Sequence, residues 1–465
     1  MGKLKSLNVI HCEDVYDITV QDNHNFIANN IVVHNCVEIR FYGIINDEHG
    51  IERTGFQGCN LTEGNGGACT TEERFYAICE SLAVLGTMQA AYTDFKYVDN
   101  ITKQIFDREA LLGCSFTGWM ANPHIMMNPE IQRKGAEIIK SINAELAPIL
   151  GINVAARTTT SKPSGNASVL LMSPSGCGGD HAPNYFRCMQ INKFSEIGKM
   201  LAEAHPYLIE ESVWSANNTD YVAFIPIVSN KKAKFKSELL GINQLEVVRT
   251  IQNNWVEYGT NVDKCVKPWL RHSVSNTVEL NYEDFESVKE YLFEHKNEFA
   301  AVSFLLHIGD KIYNQAPFTS VLMREQLAEK YGDAAFFASG LIVDGLHAFD
   351  NNLWQACEYT TKRDIKLVGT RMMVMLQRDW LRRAKQFAKR FFKNNLEEMT
   401  ICLKDIHLYH KWVSINRELK NKEFSFDKLN IKPEYTDIDT MGALACNGSS
   451  CEIPAEYLDK MKSAQ

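Results

Sequence analysis

The residues best placed to do chemistry come first in Ile31-Val32-Val33-His34-Asn35-Cys36-Val37-Glu38-Ile39. The stretch supports two readings. Leftward, a β-branched run ends in His34-Asn35 before Cys36. An asparagine amide can attack its own carbonyl, close a succinimide and cut the bond to the next residue. A neighbouring imidazole can protonate the leaving group, and a thiol is a natural acyl acceptor. Rightward, Cys36 and Glu38 on an extended segment point to one face, because side chains alternate along a strand. A thiol and a carboxylate then reach into one site. Cys-x-Glu alone is common and buried cysteines are often inert, so the surroundings carry the weight.

Further along, Gly58-Cys59-Asn60-Leu61 lies in a glycine-interrupted, loop-like stretch over 40–69. The small residues from Gly113 to Trp119 read as a loop that a ligand could approach. Lys162-Pro163-Ser164-Gly165-Asn166-Ala167-Ser168 is a polar turn ahead of an apolar run. A helix starting near Asn166 would set unpaired N–H groups beside serine hydroxyls and make an anion site, although a plain capped helix is the commoner case. In the loop 173–182, His181 has no Cys or His at ligand spacing and reads as structural, and no metal is expected. A final dithiol, Cys446 and Cys451, sits in a tail beginning near Ile431.

The elements that must position these residues follow from periodicity. Thr70 and Glu73 offer a capping box to a helix running to about Tyr92, with Phe75, Ile78, Leu82 and Leu85 at helical spacing. Further helices are expected over 101–112, 129–150, 321–331, 352–360 and 370–395, and strands over 273–280 and 300–306. Before Cys36, Phe26-Ile27-Ala28 and Ile31-Val32-Val33 read as strands around the turn-prone Asn29-Asn30.

The chain has 465 residues, 45% hydrophobic and 23% charged, which is an ordinary globular balance with room for two to three domains. Its net charge of -8 argues against nucleic-acid and membrane-surface roles. No long apolar run or signal peptide is seen, and thirteen cysteines then imply a reducing, cytoplasmic setting. The basic helix over 370–395 reads as a solvated face.

Val15 to Asn35 resembles the C-terminal block of an intein: an Asp in a strand, a His-Asn-Phe turn, then His-Asn before Cys. The resemblance implies that Asn35 cyclises with help from His34. Asp17 and His24 orient or polarise the junction, and Cys36 becomes the first residue of the spliced product. A Met about thirty-five residues upstream is similar to the start of a split intein's C-terminal fragment.

Residues 36 to about 320 resemble the C-terminal half of a ribonucleotide reductase, most closely the adenosylcobalamin-dependent class II enzymes. The match lies in Cys36-Val37-Glu38-Ile39, Gly58-Cys59-Asn60-Leu61, the 162–168 turn, Arg271-His272-Ser273-Val274-Ser275-Asn276-Thr277-Val278 and Gln315-Ala316-Pro317. The C-x4-C tail is a sixth element.

The family implies an α/β fold, the C-terminal half of a ten-stranded α/β barrel with the radical cysteine on a central finger loop. Domains would then be an intein fragment over 1–35, the barrel half over 36–430 and a redox tail over 431–465. Cys36 would be the thiyl radical, Glu38 the base on the 3′ hydroxyl, and Cys59 one of two pocket thiols oxidised as the 2′ hydroxyl leaves. Cys446 and Cys451 would re-reduce that disulfide, and Ser164, Gly165, Asn166, Ala167 and Ser168 would hold the substrate phosphates. The second pocket cysteine and the effector site belong to the family's N-terminal half. The expected partners are therefore an N-terminal half carrying the other intein fragment, a ribonucleotide and a thioredoxin- or glutaredoxin-like reductant. A diiron class I half and a non-catalytic interaction protein are the alternatives. Against the first, no adjacent Tyr-Tyr pair is found near the C-terminus.

Overall fold

A computed structural model describes residues 26–28, 31–33, 39, 41–95, 98–213, 215, 217–307, 315–349, 353–358, 367 and 369–422. The chain divides into two compact units, one from residues 1–180 with 232–307 and one from 181–231 with 308–465. The architecture is mixed α/β.

In the first unit β1 (Phe26–Ala28) pairs antiparallel with β2 (Ile31–Val33), in the places the sequence indicates. A second small hairpin joins β3 (Ile44–Asn46) to β4 (Glu52–Thr54). Next come β5 (Asn60–Asn65), α1 (Glu72–Ala90), α2 (Asn100–Glu109), β6 (Leu112–Thr117), α3 (Pro123–Met126), α4 (Pro129–Ile149) and α5 (Asn166–Leu170). β5 and β6 are parallel. Parallel bridges then join Cys114 to Thr159 and Ser161 to Val274. Five extended segments thus lie side by side in the order β5, β6, 157–161, 272–280 and Ser303–Leu306, with helices in the connections.

The helices cover one face of these segments. Thr71 caps α1, its hydroxyl accepting the Arg74 N–H, one residue later than the expected cap. Phe75 of α1 stacks on Phe116 of β6 at 4.9 Å, and Trp119 and Trp255 meet Phe116 edge-on at 5.7 and 5.5 Å. Such aromatic packing adds to the area buried and fixes orientation.

The opposite end of the sheet is held by a buried charge. Glu109, at the end of α2, is 2% exposed. Its carboxylate accepts from Arg157 at 3.1 Å, Arg108 at 3.2 Å, Gln57 at 3.0 Å and the Val266 N–H at 3.3 Å. Burial pushes its pKa up, but the Gln57 hydrogen bond and the two guanidinium groups more than offset this and hold it below the usual range. Gln57 in turn accepts from the Tyr42 N–H, and Arg108 donates to the carbonyls of Tyr42 and Ile44.

The second unit begins with β7 (Asn184–Asn192), α6 (Glu196–Ala204), β8 (Ile209–Glu211) and β9 (Asp220–Val228). The chain then returns to the first unit for α7 (Ile242–Ile251), which continues in a π-helical turn over 252–256. β10 (Thr277–Leu280), α8 (Phe285–Glu294) and β11 (Ser303–Leu306) complete that unit, β10 and β11 pairing in parallel. In the second unit β12 (Phe318–Ser320) completes a sheet of order β12-β7-β9-β8, antiparallel throughout. α9 (Arg324–Tyr331), α10 (Asp333–Phe349), α11 (Leu353–Glu358), α12 (Arg371–Phe391) and α13 (Leu396–Asn421) follow. They pack around Trp380, Phe387, Met399 and Leu403. Among the described residues no helix is long and apolar enough to cross a membrane.

Two expectations are corrected. The supposed loop over 113–119 is mostly β6, buried at every residue; a strand covered on both faces has room for Gly113, Cys114 and Ser115. The supposed loop over 40–69 contains β3, β4 and β5. The expected limits at 35 and 431 fall outside the described residues.

Arg157→Leu should leave Glu109 short of its buried partner and cost about 3–5 kcal/mol in urea unfolding. Because Glu109 has a lowered pKa when folded, its contribution is present above the unfolded carboxylate value of about 4.3 and fades as pH falls through the folded one. The stability advantage of wild type over Glu109→Gln should therefore shrink on acidification. A constant difference from pH 7 to pH 3 would contradict this.

Candidate active site on the polar face of the parallel sheet

Pairing between β5 and β6 sorts their side chains. Thr62, Gly64, Cys114 and Phe116 share one face, where Thr62 donates to the Leu82 carbonyl of α1 and Phe116 stacks on Phe75. Leu61, Glu63, Asn65, Gly113, Ser115 and Thr117 share the other. Cys59, just before β5, belongs with this second set: a Cβ at Gly113 would come within 3.0 Å of its sulfur and 2.4 Å of Leu61. A glycine at 113 is therefore what gives the Cys59 thiol its place. Ile39, the first described residue after Cys36-x-Glu38, packs with Leu111 and Ala156 in a small core that Cys59 and Leu61 also join.

The polar members of this face hold the serine-glycine turn. Ser164 Oγ donates to Glu63 Oε2 at 2.7 Å. Ser115 Oγ accepts the Lys162 N–H at 3.0 Å, and Thr117 Oγ1 accepts the Gly176 N–H at 3.0 Å while donating to the Pro174 carbonyl at 2.7 Å. Asn65 Nδ2 donates to the Leu171 carbonyl at 2.8 Å. Gly176 has φ +52° and lies so close that a Cβ would stand 2.7 Å from the Lys162 carbonyl oxygen, so the two loops touch backbone to backbone.

Within the turn, the Ser164 hydroxyl is spent on Glu63 and the Ser168 hydroxyl donates to the Gly165 carbonyl at 2.7 Å. Gly165 is different. With φ -78° and ψ -86° its backbone lies just beyond the ordinary α region, and a Cβ there would meet nothing within 4 Å, so packing does not require glycine and the backbone is open to approach. Asn166 and Ala167 begin α5, as the sequence indicates.

His272 is fully buried, with Nδ1 3.2 Å from the Thr159 carbonyl. Burial and the charge of Arg157 hold its pKa down to about 3, so it is neutral and fastens two segments together. Other thiols are equally inert. Burial pushes Cys69, Cys114 and Cys177 up to about 12 and raises Cys79 well above the ordinary value. In the second unit His181 stacks on Phe318 and meets Tyr185 edge-on. Among the described residues no three His, Cys, Asp or Glu side chains form a metal-sized group.

Of the site residues read from sequence, Cys59, Ser164, Gly165, Ala167 and Ser168 are described, with the backbone of Asn166. Asp17, His24, His34, Asn35, Cys36, Glu38, Cys446 and Cys451 lie outside the described residues. The reading missed Glu63 and Asn65, and it placed Gly113, Ser115 and Thr117 in a ligand-accessible loop where they belong to a buried strand. Alternation from Cys59 could have placed Glu63 on its face, but nothing in the sequence joins Glu63 to Ser164.

No family model and no curated protein matches the chain. Among solved structures it is similar to a crystal structure of a B12-dependent (class II) ribonucleotide reductase, with a TM-score of 0.48 and 15% identity. The similarity covers 62% of this chain and 41% of that one, so the chain spans about two-fifths of the structure it matches.

Iodoacetamide at pH 8 should label Cys59 in the native protein well before Cys69, Cys114 or Cys177. A thiol near 12 carries roughly a thousandfold less thiolate than an ordinary one. Peptide mass mapping with time reads this directly, and labelling of Cys114 as fast as Cys59 would contradict the packing described.

Proposed function

We propose that the chain is one half of a thiyl-radical ribonucleotide reductase, delivered by protein splicing. One observation carries the reading. Cys59 and the Ser164-Gly165 turn, far apart in sequence, serve one sheet face, joined by the Glu63–Ser164 hydrogen bond. A nucleotide held at the turn by its phosphates would lay its sugar along the strand toward the thiol. The five parallel segments also support it, since they make half of the ten strands such a barrel needs.

In this reading Cys36 takes the 3′ hydrogen of the ribose and Glu38 accepts the proton of the 3′ hydroxyl. The 2′ hydroxyl leaves as water on taking a thiol proton, Cys59 and a cysteine of the other half supply two electrons and the second hydrogen by closing a disulfide, and Cys36 returns the 3′ hydrogen to the sugar. Cys446 and Cys451 reopen it by thiol–disulfide exchange, and an external dithiol protein restores them. Ser164 to Ser168 receive the phosphates. Adenosylcobalamin would supply the radical. No donor set among the described residues marks its place. Before any of this, Asn35 would cyclise with His34 as acid, and Asp17 and His24 would shape the junction, joining Cys36 to the N-terminal half.

The test is to mix the chain with its N-terminal partner, follow ligation by mass, and assay deoxynucleotide formation with adenosylcobalamin and a dithiol. The chain alone should give no turnover, because in this reading the second pocket cysteine comes from the other half. Ligated Cys59→Ser should lose steady-state reduction by roughly a thousandfold or more. Cys36→Ser should keep some ligation and lose all reduction, since acyl transfer tolerates a hydroxyl and radical transfer needs the weak S–H bond. Asn35→Ala should block release of residues 1–35. Reduction by ligated Cys36→Ser would sink the radical assignment, and release from Asn35→Ala would sink the splicing one. Cys446→Ser should complete one turnover when prereduced but fail with a protein reductant, and equal loss in both assays would remove the shuttle role.

A further inference from the structure

In the second unit the last turns of α12 lie beside the middle of α10 and leave a groove of about 280 Å³ between the two helices. Phe337 and Leu341 of α10 and Phe387 and Phe391 of α12 supply its apolar lining. Phe337 stays 46% exposed although its ring meets Phe391 at 5.6 Å. Gly340 also lines the groove. It lies inside a helix, where glycine is a poor choice, and a Cβ there would meet nothing within 4 Å, so packing within the unit does not require it. Arg390 holds its guanidinium over the rings of Phe337 and Phe391 at 5.0 and 4.9 Å. Stacking fixes the group by its flat face and leaves its N–H edge to donate. Among the described residues Arg390 has no carboxylate partner, whereas Arg383 pairs with Asp344 and Asp379. The helix that carries both arginines has seven basic side chains and a single acid, Asp379.

We propose that this groove holds residues 434–441 of the same chain, Glu434-Tyr435-Thr436-Asp437-Ile438-Asp439-Thr440-Met441. The segment supplies what the groove lacks. Its three carboxylates and no base complement a strongly basic helix and an arginine without an acid of its own. Tyr435, Ile438 and Met441 recur every third residue and offer anchors to a lining of phenylalanine and leucine. The segment is also within reach. The groove lies near the end of α12 that leads into α13, and α13 packs in the same core. α13 then runs 26 residues, about 39 Å, to Asn421. Residues 423–433 must cover that distance in return, and eleven extended residues span about 36–40 Å. Tethering gives the segment an effective concentration on the order of millimolar, so modest contacts suffice to fill the groove. Cys446 and Cys451 follow directly. On the redox reading of the tail given above, docking keeps this dithiol beside the helices and release lets it travel; the docking itself does not depend on that reading.

The test uses the full chain and a fluorescein-labelled peptide of residues 432–442, followed by fluorescence polarisation. In wild type the groove is already filled from within, and the peptide should bind poorly. The full chain carrying Tyr435→Ala, Asp437→Asn and Asp439→Asn has an emptied groove and should bind the peptide at least about tenfold tighter. Added to that variant, Gly340→Leu fills the groove and Arg390→Glu reverses its charge. Either should remove the gain, and added salt should weaken the binding that remains. Leucine is a better helix former than glycine and the site is open, so Gly340→Leu should melt no lower than wild type. Arg390→Glu serves alone if it does not fold. Equal binding to wild type and the tail variant, binding that ignores both groove substitutions, or no binding to any form refutes the docking. A wild-type dimer that Gly340→Leu converts to monomer in sedimentation refutes it too, because a second copy then fills the groove. Nucleotide reduction does not enter the assay, so failure here leaves the proposed reaction standing, and failure of the reaction leaves the docking standing.

Discussion

A carboxylate taken out of water stays ionised only when donors replace the solvent, and Glu109 is the residue on which this unit meets that condition. Its donors come from four separate places: the end of its own helix, the segment before Cys59, the third extended segment and the 266–267 turn. None of these can shift without stranding a buried charge. The chain from Tyr42 to Gln57 is tied in by the same network, since Gln57 bridges the Tyr42 amide and the Glu109 carboxylate. Cys59 stands two residues beyond Gln57, so the position of a candidate reactive thiol is inherited from an ion pair that takes no part in its chemistry.

The sheet divides labour between its faces. On the helix side, apolar and aromatic residues close around Phe75, Phe116 and Trp255, and the cysteines there are packed as small hydrophobes whose ionisation burial suppresses. On the other side Glu63, Asn65, Ser115 and Thr117 are polar. Asn65, Ser115 and Thr117 spend hydrogen bonds on loop backbone and Glu63 on the Ser164 hydroxyl, and together they convert a strand surface into a mount for the 162–176 segment. The turn that could bind a ligand is thereby held from beneath by a rigid element, which is how a loop acquires a geometry worth using.

Thiol chemistry needs contrast between sites. Cys59 lies over a glycine at the margin of a small core, while Cys69, Cys79, Cys114 and Cys177 lie inside a large one. In the large core it is chiefly desolvation that suppresses the thiolate.

The sequence by itself determined the local elements and the motifs. Helix periodicity located α1, α4 and α12, the two short strands before Cys36 are where β-branched residues surround Asn29-Asn30, and α5 begins at Asn166. These depend on neighbours within a few residues, which a single chain displays openly. It misplaced β6, because a strand buried on both faces by small residues carries neither alternation nor bulk. It did not anticipate α10 or α13, where the burial pattern is set by packing between helices. The joining of Cys59 to Gly113, of Glu63 to Ser164 and of Gln57 to Glu109 was decided only by tertiary structure. Each pair is some fifty to a hundred residues apart, and no local rule of propensity or spacing can say which strand a polar side chain will meet across a parallel sheet.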